Sequence, residues 1–174
     1  MRIYLLIAKK DIMIFSKSFG YAIRSVLYVA IMRNEKRYVQ VEEVASKLAV
    51  PRHFMGKVMK KLAKEKILVS TKGPSGGFIL NEHTLNMSLM SLIEIIDGVE
   101  IFDSCALRSK ECNALSPCPM HFQLETVKHN LKSILSDTTI GNLIDENNPE
   151  FIRSISTAID ITLIKELAQS PKVY

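Results

Sequence analysis

Residues 41–80, VEEVASKLAVPRHFMGKVMKKLAKEKILVSTKGPSGGFIL, decide the fold. The first apolar residues of this stretch lie at i, i+3, i+4 and i+7, which is the spacing of one helix face: Val41, Val44, Ala45 and Leu48. Ala49 and Val50 form a short break after this helix. Pro51 suits the first turn of a second helix, because the missing proline N–H costs nothing there.

The second helix is predicted over residues 51–64, and its two faces differ. Five apolar residues gather on one side: Phe54, Met55, Val58, Met59 and Leu62. Four basic residues gather on the opposite side: His53, Lys57, Lys60 and Lys64. Two short helices joined by a tight turn, the second with a basic stripe, predict a helix-turn-helix whose second helix fits the DNA major groove. A solvated helix face without a partner is the alternative interpretation of the stripe.

A β-hairpin is predicted directly after the helix pair. Residues 67–71 and 78–80 are rich in strand formers, and the loop 72–77 between them supplies glycines where positive φ is needed. The loop differs from a nucleotide-type phosphate loop, because a strand and not a helix follows its glycines. A helix pair followed by a basic-tipped hairpin predicts a winged helix, in which Lys72 reaches phosphates or the minor groove.

Upstream of this stretch, residues 19–32 (FGYAIRSVLYVAIM) contain one charged residue and no proline, which predicts a largely buried helix. No apolar run in the chain reaches the roughly 20 residues that a membrane-spanning helix needs. We therefore expect a cytoplasmic protein.

Charge is divided unevenly along the 174 residues, whose net charge is +5. Residues 13–83 carry thirteen Lys/Arg and five Asp/Glu, whereas residues 84–174 carry seven and twelve. The basic half is typical of a module that binds a polyanion. Charge alone does not distinguish DNA from an acidic membrane surface.

Four segments carry a resemblance to a known family. MIFSKSFGYAIRSVLYVA, VEEVASKLAVPRHFMGKVMKKLAKEKIL, KGPSGGFIL and SLMSLIEIIDGVEIF stand in unbroken order within residues 13–145. Their order resembles the Rrf2 family of bacterial regulators. The resemblance implies a mainly α-helical winged helix-turn-helix domain with a small β-hairpin wing and a long C-terminal dimerisation helix. It also implies a homodimeric repressor or activator on a palindromic operator of double-stranded DNA.

The resemblance places four residues where the family's recognition helix contacts DNA: Pro51, Arg52, His53 and Lys57. We predict that Lys60 and Lys64 contact phosphates, whereas His53 and Lys57 help to read the sequence. Lys72 stands where many members place a minor-groove arginine. Because lysine lacks the planar fork of arginine, we expect minor-groove reading to be weaker here.

The chain is divided into four parts on this basis. Residues 13–83 are the predicted DNA-binding domain, and residues 84–145 are a linker helix, a Cys-rich sensor loop and the dimerisation helix. Residues 1–12 match nothing in the family and are either an extension or a misassigned start. We expect translation to begin at Met13. Residues 146–174 form a tail with helical apolar spacing at Phe151, Ile152, Ile155, Ile159 and Leu163.

Three cysteines and a histidine form the pattern Cys105-x6-Cys112-x5-Cys118-x2-His121. Thiolates and imidazole are ligands of iron–sulfur clusters and of zinc, whereas a flexible loop with unused cysteines is the alternative. Cluster-binding family members place three cysteines in this part of the chain. In the IscR type, three cysteines and the histidine just after them hold a [2Fe–2S] cluster. That ligand set and its [2Fe–2S] cluster are favoured here. Because one more residue separates Cys105 from Cys112 than separates the corresponding cysteines of the IscR type, a [4Fe–4S] cluster stays open, and zinc is the alternative.

The segment after the loop has apolar residues at alternating steps of four and three: Met120, Leu124, Val127, Leu131 and Ile134. This spacing predicts a coiled-coil-like seam of about two heptads. A stripe that packs inside one chain is the alternative, and the crossed dimer helices of the family favour a seam between two protomers.

The main hypothesis is a regulator whose cluster state changes its affinity for an operator. One rival keeps this architecture and places zinc or thiol-redox chemistry at the cysteine loop. A rival from another class is an enzyme with Cys118 as nucleophile and His121 as base. No third orienting residue is recognisable for such a pair, and we expect that the protein is not an enzyme.

Overall fold

The computed structural model describes residues 15–34, 37–105 and 112–144. The predicted start at Met13 and the predicted helical tail 146–174 lie outside the described residues. The elements are, in chain order, α1 (Lys17–Met32), α2 (Val41–Lys47), α3 (Arg52–Lys64), β1 (Leu68–Thr71), β2 (Gly77–Leu80), a 3₁₀ turn (Thr84–Asn86), α4 (Leu89–Ile96), α5 (Glu100–Asp103), α6 (His121–Asp137) and α7 (Ile140–Leu143). The predicted winged helix-turn-helix with a long C-terminal helix is confirmed.

Helix α1 is the central element of the core, as its apolar sequence predicts. Ser16 caps its N-terminus, where the Ser16 hydroxyl accepts a hydrogen bond from the Phe19 N–H at 3.1 Å. The helix packs against α3, α4 and β2, and Tyr28 is 1% exposed. The Tyr28 hydroxyl donates to Glu43 Oε1 at 2.6 Å, which fastens α2 to this core.

The tight turn between α2 and α3 depends on one left-handed residue. Ala49 has φ 52°, a conformation that a non-glycine residue adopts at a cost. Hydrogen bonds from the Val50 N–H to the Ala45 carbonyl and from the Leu48 N–H to the Val44 carbonyl hold the turn. Pro51 lies at the N-cap of α3, one position before the predicted first turn.

The buried side of α3 consists of apolar residues that the spacing predicts: Met55, Val58, Met59 and Leu62. Phe54 is half-buried, and its ring meets the Tyr21 ring edge-on with centroids 5.4 Å apart. Burial of this apolar side leaves the basic side of α3 in solvent.

The wing is an antiparallel hairpin in which Leu68 pairs with Leu80 and Thr71 with Gly77. Val39 extends it by a bridge to Phe78, so the segment before α2 contacts the hairpin. Gly73 has φ 112°, and a Cβ on Gly76 would lie 2.2 Å from the Thr71 carbonyl oxygen. The loop therefore needs glycine at these two positions.

The second half of the chain packs on the first through α4 and α6. Leu92 and Ile93 of α4 are fully buried, and Leu135 of α6 is 7% exposed. A bridge between Ser88 and Thr139 ties the start of α4 to the end of α6. None of the helices in the described ranges is long and apolar enough to cross a membrane.

The seam predicted along α6 is divided between two environments. Leu131 packs against the core together with Leu135, which was not part of the predicted seam. Val127 and Ile134 remain 60% and 61% exposed, and Met120, at the N-cap, is 45% exposed. Leu124 is partly buried and lines the cleft beside the cysteines. The intrachain alternative therefore accounts for Leu131 but not for the exposed Met120, Val127 and Ile134.

Candidate nucleic-acid interface and metal centre

The outer face of α3 is the candidate reading surface. Its five basic residues are all exposed: Arg52, His53, Lys57, Lys60 and Lys64. The first two lie in the first turn, which is the part of a recognition helix nearest the base edges. Pro51 is also exposed, at the helix N-cap.

Arg52 is held by a carboxylate of the neighbouring helix. Its Nε and Nη2 both contact Oε1 of Glu42, in the first turn of α2. The pKa of Glu42 lies below its ordinary value because its own backbone N–H and the Arg52 guanidinium both stabilise the carboxylate. No local sequence pattern indicates this contact, since the two residues lie ten positions apart on different helices.

A basic groove runs between α3 and the wing. The groove has a volume of about 470 Å³, and its lining includes Lys60, Lys64, Ser70, Thr71 and Lys72. No carboxylate belongs to the described lining. Three ammonium groups and two hydroxyls are donors suited to a chain of phosphates.

The wing is fastened to the residues that precede α2. Gln40 Nε2 donates to the Pro74 carbonyl oxygen at 3.2 Å, beside the wing tip. Tyr38 hydrogen-bonds the Thr71 side chain, and this contact, together with the charge of Arg37, lowers the pKa of Tyr38. These contacts fix the position of the wing relative to α2.

Three of the four predicted metal ligands converge. The sulfur atoms of Cys105, Cys112 and Cys118 all lie within 4.8 Å of one another, and the three residues are partly buried. Cys105 Sγ and Cys118 Sγ are 3.8 Å apart. Cys105 lies two residues after the end of α5, and Cys112 and Cys118 lie in the segment before α6, so the fold brings both sides of the loop together.

His121 joins this group as the first residue of α6. Its Nδ1 lies 3.2 Å from Cys112 Sγ, and its Nε2 lies 3.7 Å from Glu125 Oε2. A carboxylate that accepts a hydrogen bond from the far ring nitrogen orients a ligating imidazole, whereas at 3.7 Å Glu125 is an ion-pair neighbour on that side of the His121 ring. The structure therefore pairs His121 with Cys112, whereas the enzyme hypothesis needs it paired with Cys118.

A backbone N–H also contacts one of the sulfurs. The Cys118 N–H donates to Cys112 Sγ at 3.4 Å. This hydrogen bond lowers the pKa of the Cys112 thiol, but burial and the neighbouring sulfurs of Cys118 and Cys105 together outweigh it and raise that pKa. A bound cation reverses this balance, because coordination deprotonates a thiol.

A cleft of about 340 Å³ opens beside the sulfurs, and residues of α5 and α6 line it. Lys128 of α6 donates to the Ser104 carbonyl oxygen, and Lys132 Nζ lies 3.2 Å from Asp103 Oδ1. Lys128 and Lys132 belong to no motif or predicted site in the sequence. Their helical spacing was the available signal, since His121, Glu125, Lys128 and Lys132 fall at i, i+4, i+7 and i+11 on one face.

The end of α4 connects the cysteine region to the DNA-binding half. Asp97 accepts hydrogen bonds from the backbone N–H of Ser16 at 2.9 Å and from its hydroxyl at 2.5 Å. Lys61 of α3 donates to the Ile96 carbonyl oxygen at 3.0 Å. Gly98, with φ 80°, turns the chain into α5 directly afterwards.

The donor set fits an iron–sulfur cluster or zinc. Thiolates with one imidazole are ligands of both, and the sulfurs are already gathered at one point. The N–H···S contact of Cys118 is also a feature that tunes the potential of such clusters.

The chain matches the model of the Rrf2 family, described as "Iron-dependent Transcriptional regulator", over residues 15–146. An HTH-type transcriptional regulator by name, from Aquifex aeolicus (strain VF5), is 35% identical over 135 residues, covering 76% of this chain and 92% of that protein. The HTH-type transcriptional regulator IscR of Vibrio atlanticus (strain LGP32) is 24% identical over 143 residues, covering 82% of this chain and 80% of that protein.

Among solved structures, CymR, the global cysteine regulator of B. subtilis, superposes with a TM-score of 0.61 at 15% identity. The match covers 75% of this chain and 95% of that one. At this identity the likeness supports the fold. The relatives are transcriptional regulators and not enzymes, as the sequence predicted.

Proposed function

Because the chain belongs to the Rrf2 family of transcriptional regulators, we propose that it is a cytoplasmic sensor that binds DNA according to the state of its cysteine loop. The three converging sulfurs are the observation that carries the sensing part of this proposal. Transcription regulation and DNA binding follow from the family itself.

DNA binding is assigned to α3 and the wing. The N-terminal end of α3 enters the major groove, where Pro51, Arg52, His53 and Lys57 face the base edges. Lys60, Lys64 and Lys72 neutralise phosphates along the basic groove, because these three residues line it.

The active form is a homodimer on a palindromic operator. Val127 and Ile134 lie seven residues apart on α6, and both are more than half exposed. Large apolar side chains in such a row are typical of a helix that pairs with another helix. Two α6 helices packed through this row place two copies of α3 on the two halves of one operator.

Cys105, Cys112, Cys118 and His121 would hold the cluster, with [2Fe–2S] favoured over [4Fe–4S]. An iron–sulfur cluster supplies a redox-active and chemically labile group when bound. Glu125 lies beside the far nitrogen of the His121 ring, and the Cys118 N–H donates to the Cys112 sulfur. Lys128 and Lys132 hold the segment before Cys105 against α6.

The same contacts are suited to transmitting a structural change at the cysteine loop to the helix that binds DNA. A change in the cysteine loop displaces α5, which follows the Asp97–Gly98 turn at the end of α4. That turn is bonded to the start of α1 and, through Lys61, to α3. The recognition helix therefore shares a hydrogen-bonded junction with the element next to the sensor loop.

Anaerobic purification tests the cluster directly. We expect a brown protein with visible absorbance, which Cys105→Ala, Cys112→Ala and Cys118→Ala each abolish. His121→Ala should leave a weaker or more labile cluster, because water or a thiol can occupy the open iron position. His83→Ala is the matched control, since His83 is exposed and remote in sequence from the cysteines. A colourless protein with stoichiometric zinc would refute the cluster and leave the DNA-binding assignment intact.

Thiol-redox chemistry is the second candidate, and one distance favours it. The 3.8 Å separation of Cys105 Sγ and Cys118 Sγ is suited to an intrachain disulfide in protein without metal. Mass spectrometry of metal-free protein treated with a hydroperoxide should then show loss of two hydrogens and a Cys105–Cys118 cross-link. Random pairing among the three cysteines would count against this candidate.

A further inference from the structure

We infer that Glu42 is a positioning residue for sequence reading: it holds Arg52 so that the free edge of the guanidinium meets a guanine in the operator. This inference rests on the assignment of α3 to the major groove. It adds a residue of α2 that neither the basic stripe nor the family resemblance includes.

The atoms in contact define which edge of Arg52 remains free. Nε and Nη2 form one side of the guanidinium, and both contact the same oxygen, Oε1 of Glu42. Nη1 has no partner among the residues the structure describes. The edge formed by Nη1 and the outer hydrogen of Nη2 is therefore a fork of two parallel donors, which matches the O6 and N7 acceptors of guanine.

Position and exposure agree with this role. Arg52 is the first residue of α3, and its side chain is 71% exposed even while it is paired. Glu42 lies in the first turn of α2 and is 51% exposed. Glu42 therefore orients the Arg52 side chain without burying it.

A fixed arginine reads a base better than a mobile one. An unpaired arginine on a helix surface samples many rotamers, and ordering it on binding has an entropic cost. The carboxylate removes part of this freedom before DNA arrives. It also keeps the guanidinium from pairing with a nearby phosphate, a contact that carries no sequence information.

The test uses the full-length protein and a duplex selected from a randomised DNA library. Replacing guanines one at a time by 7-deazaguanine removes the N7 acceptor. Wild-type affinity should fall about tenfold at one guanine of each half-site, as expected for a bidentate contact. For Arg52→Ala, 7-deazaguanine at that position should not lower the affinity. For Glu42→Ala, it should lower the affinity much less than it does for the wild type. The double variant should resemble Arg52→Ala, because both changes remove one interaction.

Two further variants separate positioning from charge. Glu42→Gln keeps an oxygen that accepts from Nε and Nη2, so most of the guanine preference should return. Glu94→Ala is the matched control, because it removes an exposed carboxylate on α4. If Glu42→Ala and Glu42→Gln both bind every duplex more tightly and keep the wild-type base preference, the inference is overturned, because Glu42 would then act only by repelling phosphates. Unchanged binding by Glu42→Ala would also overturn it. If Arg52→Ala responds to 7-deazaguanine as the wild type does, Arg52 does not read that guanine and the inference is overturned. The other assignments on α3 would stand.

Discussion

Replacement of the three groove lysines by glutamine should flatten the salt dependence of DNA binding. Lys60, Lys64 and Lys72 are exposed and line one groove between α3 and the wing. Each lost phosphate contact lowers the slope of log K against log salt by about 0.9, so three lysines contribute about 2.7 per protomer and about 5.4 per dimer. Between about 50 mM and about 200 mM salt, this difference amounts to roughly three decades of affinity.

Fluorescence anisotropy with operator and random duplexes at several salt concentrations measures this slope. The triple variant should weaken binding to both duplexes alike, because phosphate contacts carry no sequence information. Lys17→Gln is the matched control for a single charge, since Lys17 is exposed at the start of α1, away from the groove. A triple variant with the wild-type slope would refute the placement of the DNA backbone in this groove.

Three further outcomes are expected. Ala49→Gly should stabilise the fold by about 0.5 kcal/mol in thermal unfolding, because relief of the left-handed strain exceeds the added chain entropy; a lower melting temperature would contradict this. Val127→Glu with Ile134→Glu should yield folded monomers in sedimentation, whereas Ser136→Glu on the opposite side of α6 should leave the dimer intact; a persistent dimer would place the interface elsewhere. Lys61→Met should reduce the effect of cluster loss on operator affinity without changing the visible spectrum, and an unchanged effect would exclude the α3–α4 hydrogen bond from transmission.

The helices and the wing follow from local patterns. Apolar spacing predicts α2 and α3, and the glycine-rich loop predicts the hairpin, because buried faces and positive φ leave direct marks in a sequence. The left-handed conformation of Ala49 leaves no such mark, because alanine is not a residue that the conformation favours.

The sequence predicts which residues form the site, but it does not predict which of them lie beside each other. Cysteine and histidine identities indicate ligands, yet only the fold shows that His121 lies beside Cys112 and that Cys105 approaches Cys118. The Glu42 contact likewise joins two helices, and no local pattern reports a contact of that kind. The choice of Leu135 over Ile134 as a core residue depends on how α6 lies against α4, which the heptad spacing does not determine.

The most direct test of the sensor-regulator proposal is one comparison of operator affinity. A single anaerobic preparation is divided, the cluster is removed from one half by a chelator, and both halves are titrated with the selected operator at the same salt concentration. The proposal predicts affinities that differ by about 5- to 150-fold, the usual range of coupling between two sites. Equal affinities of the two halves would contradict it and would leave a DNA-binding protein whose metal is structural.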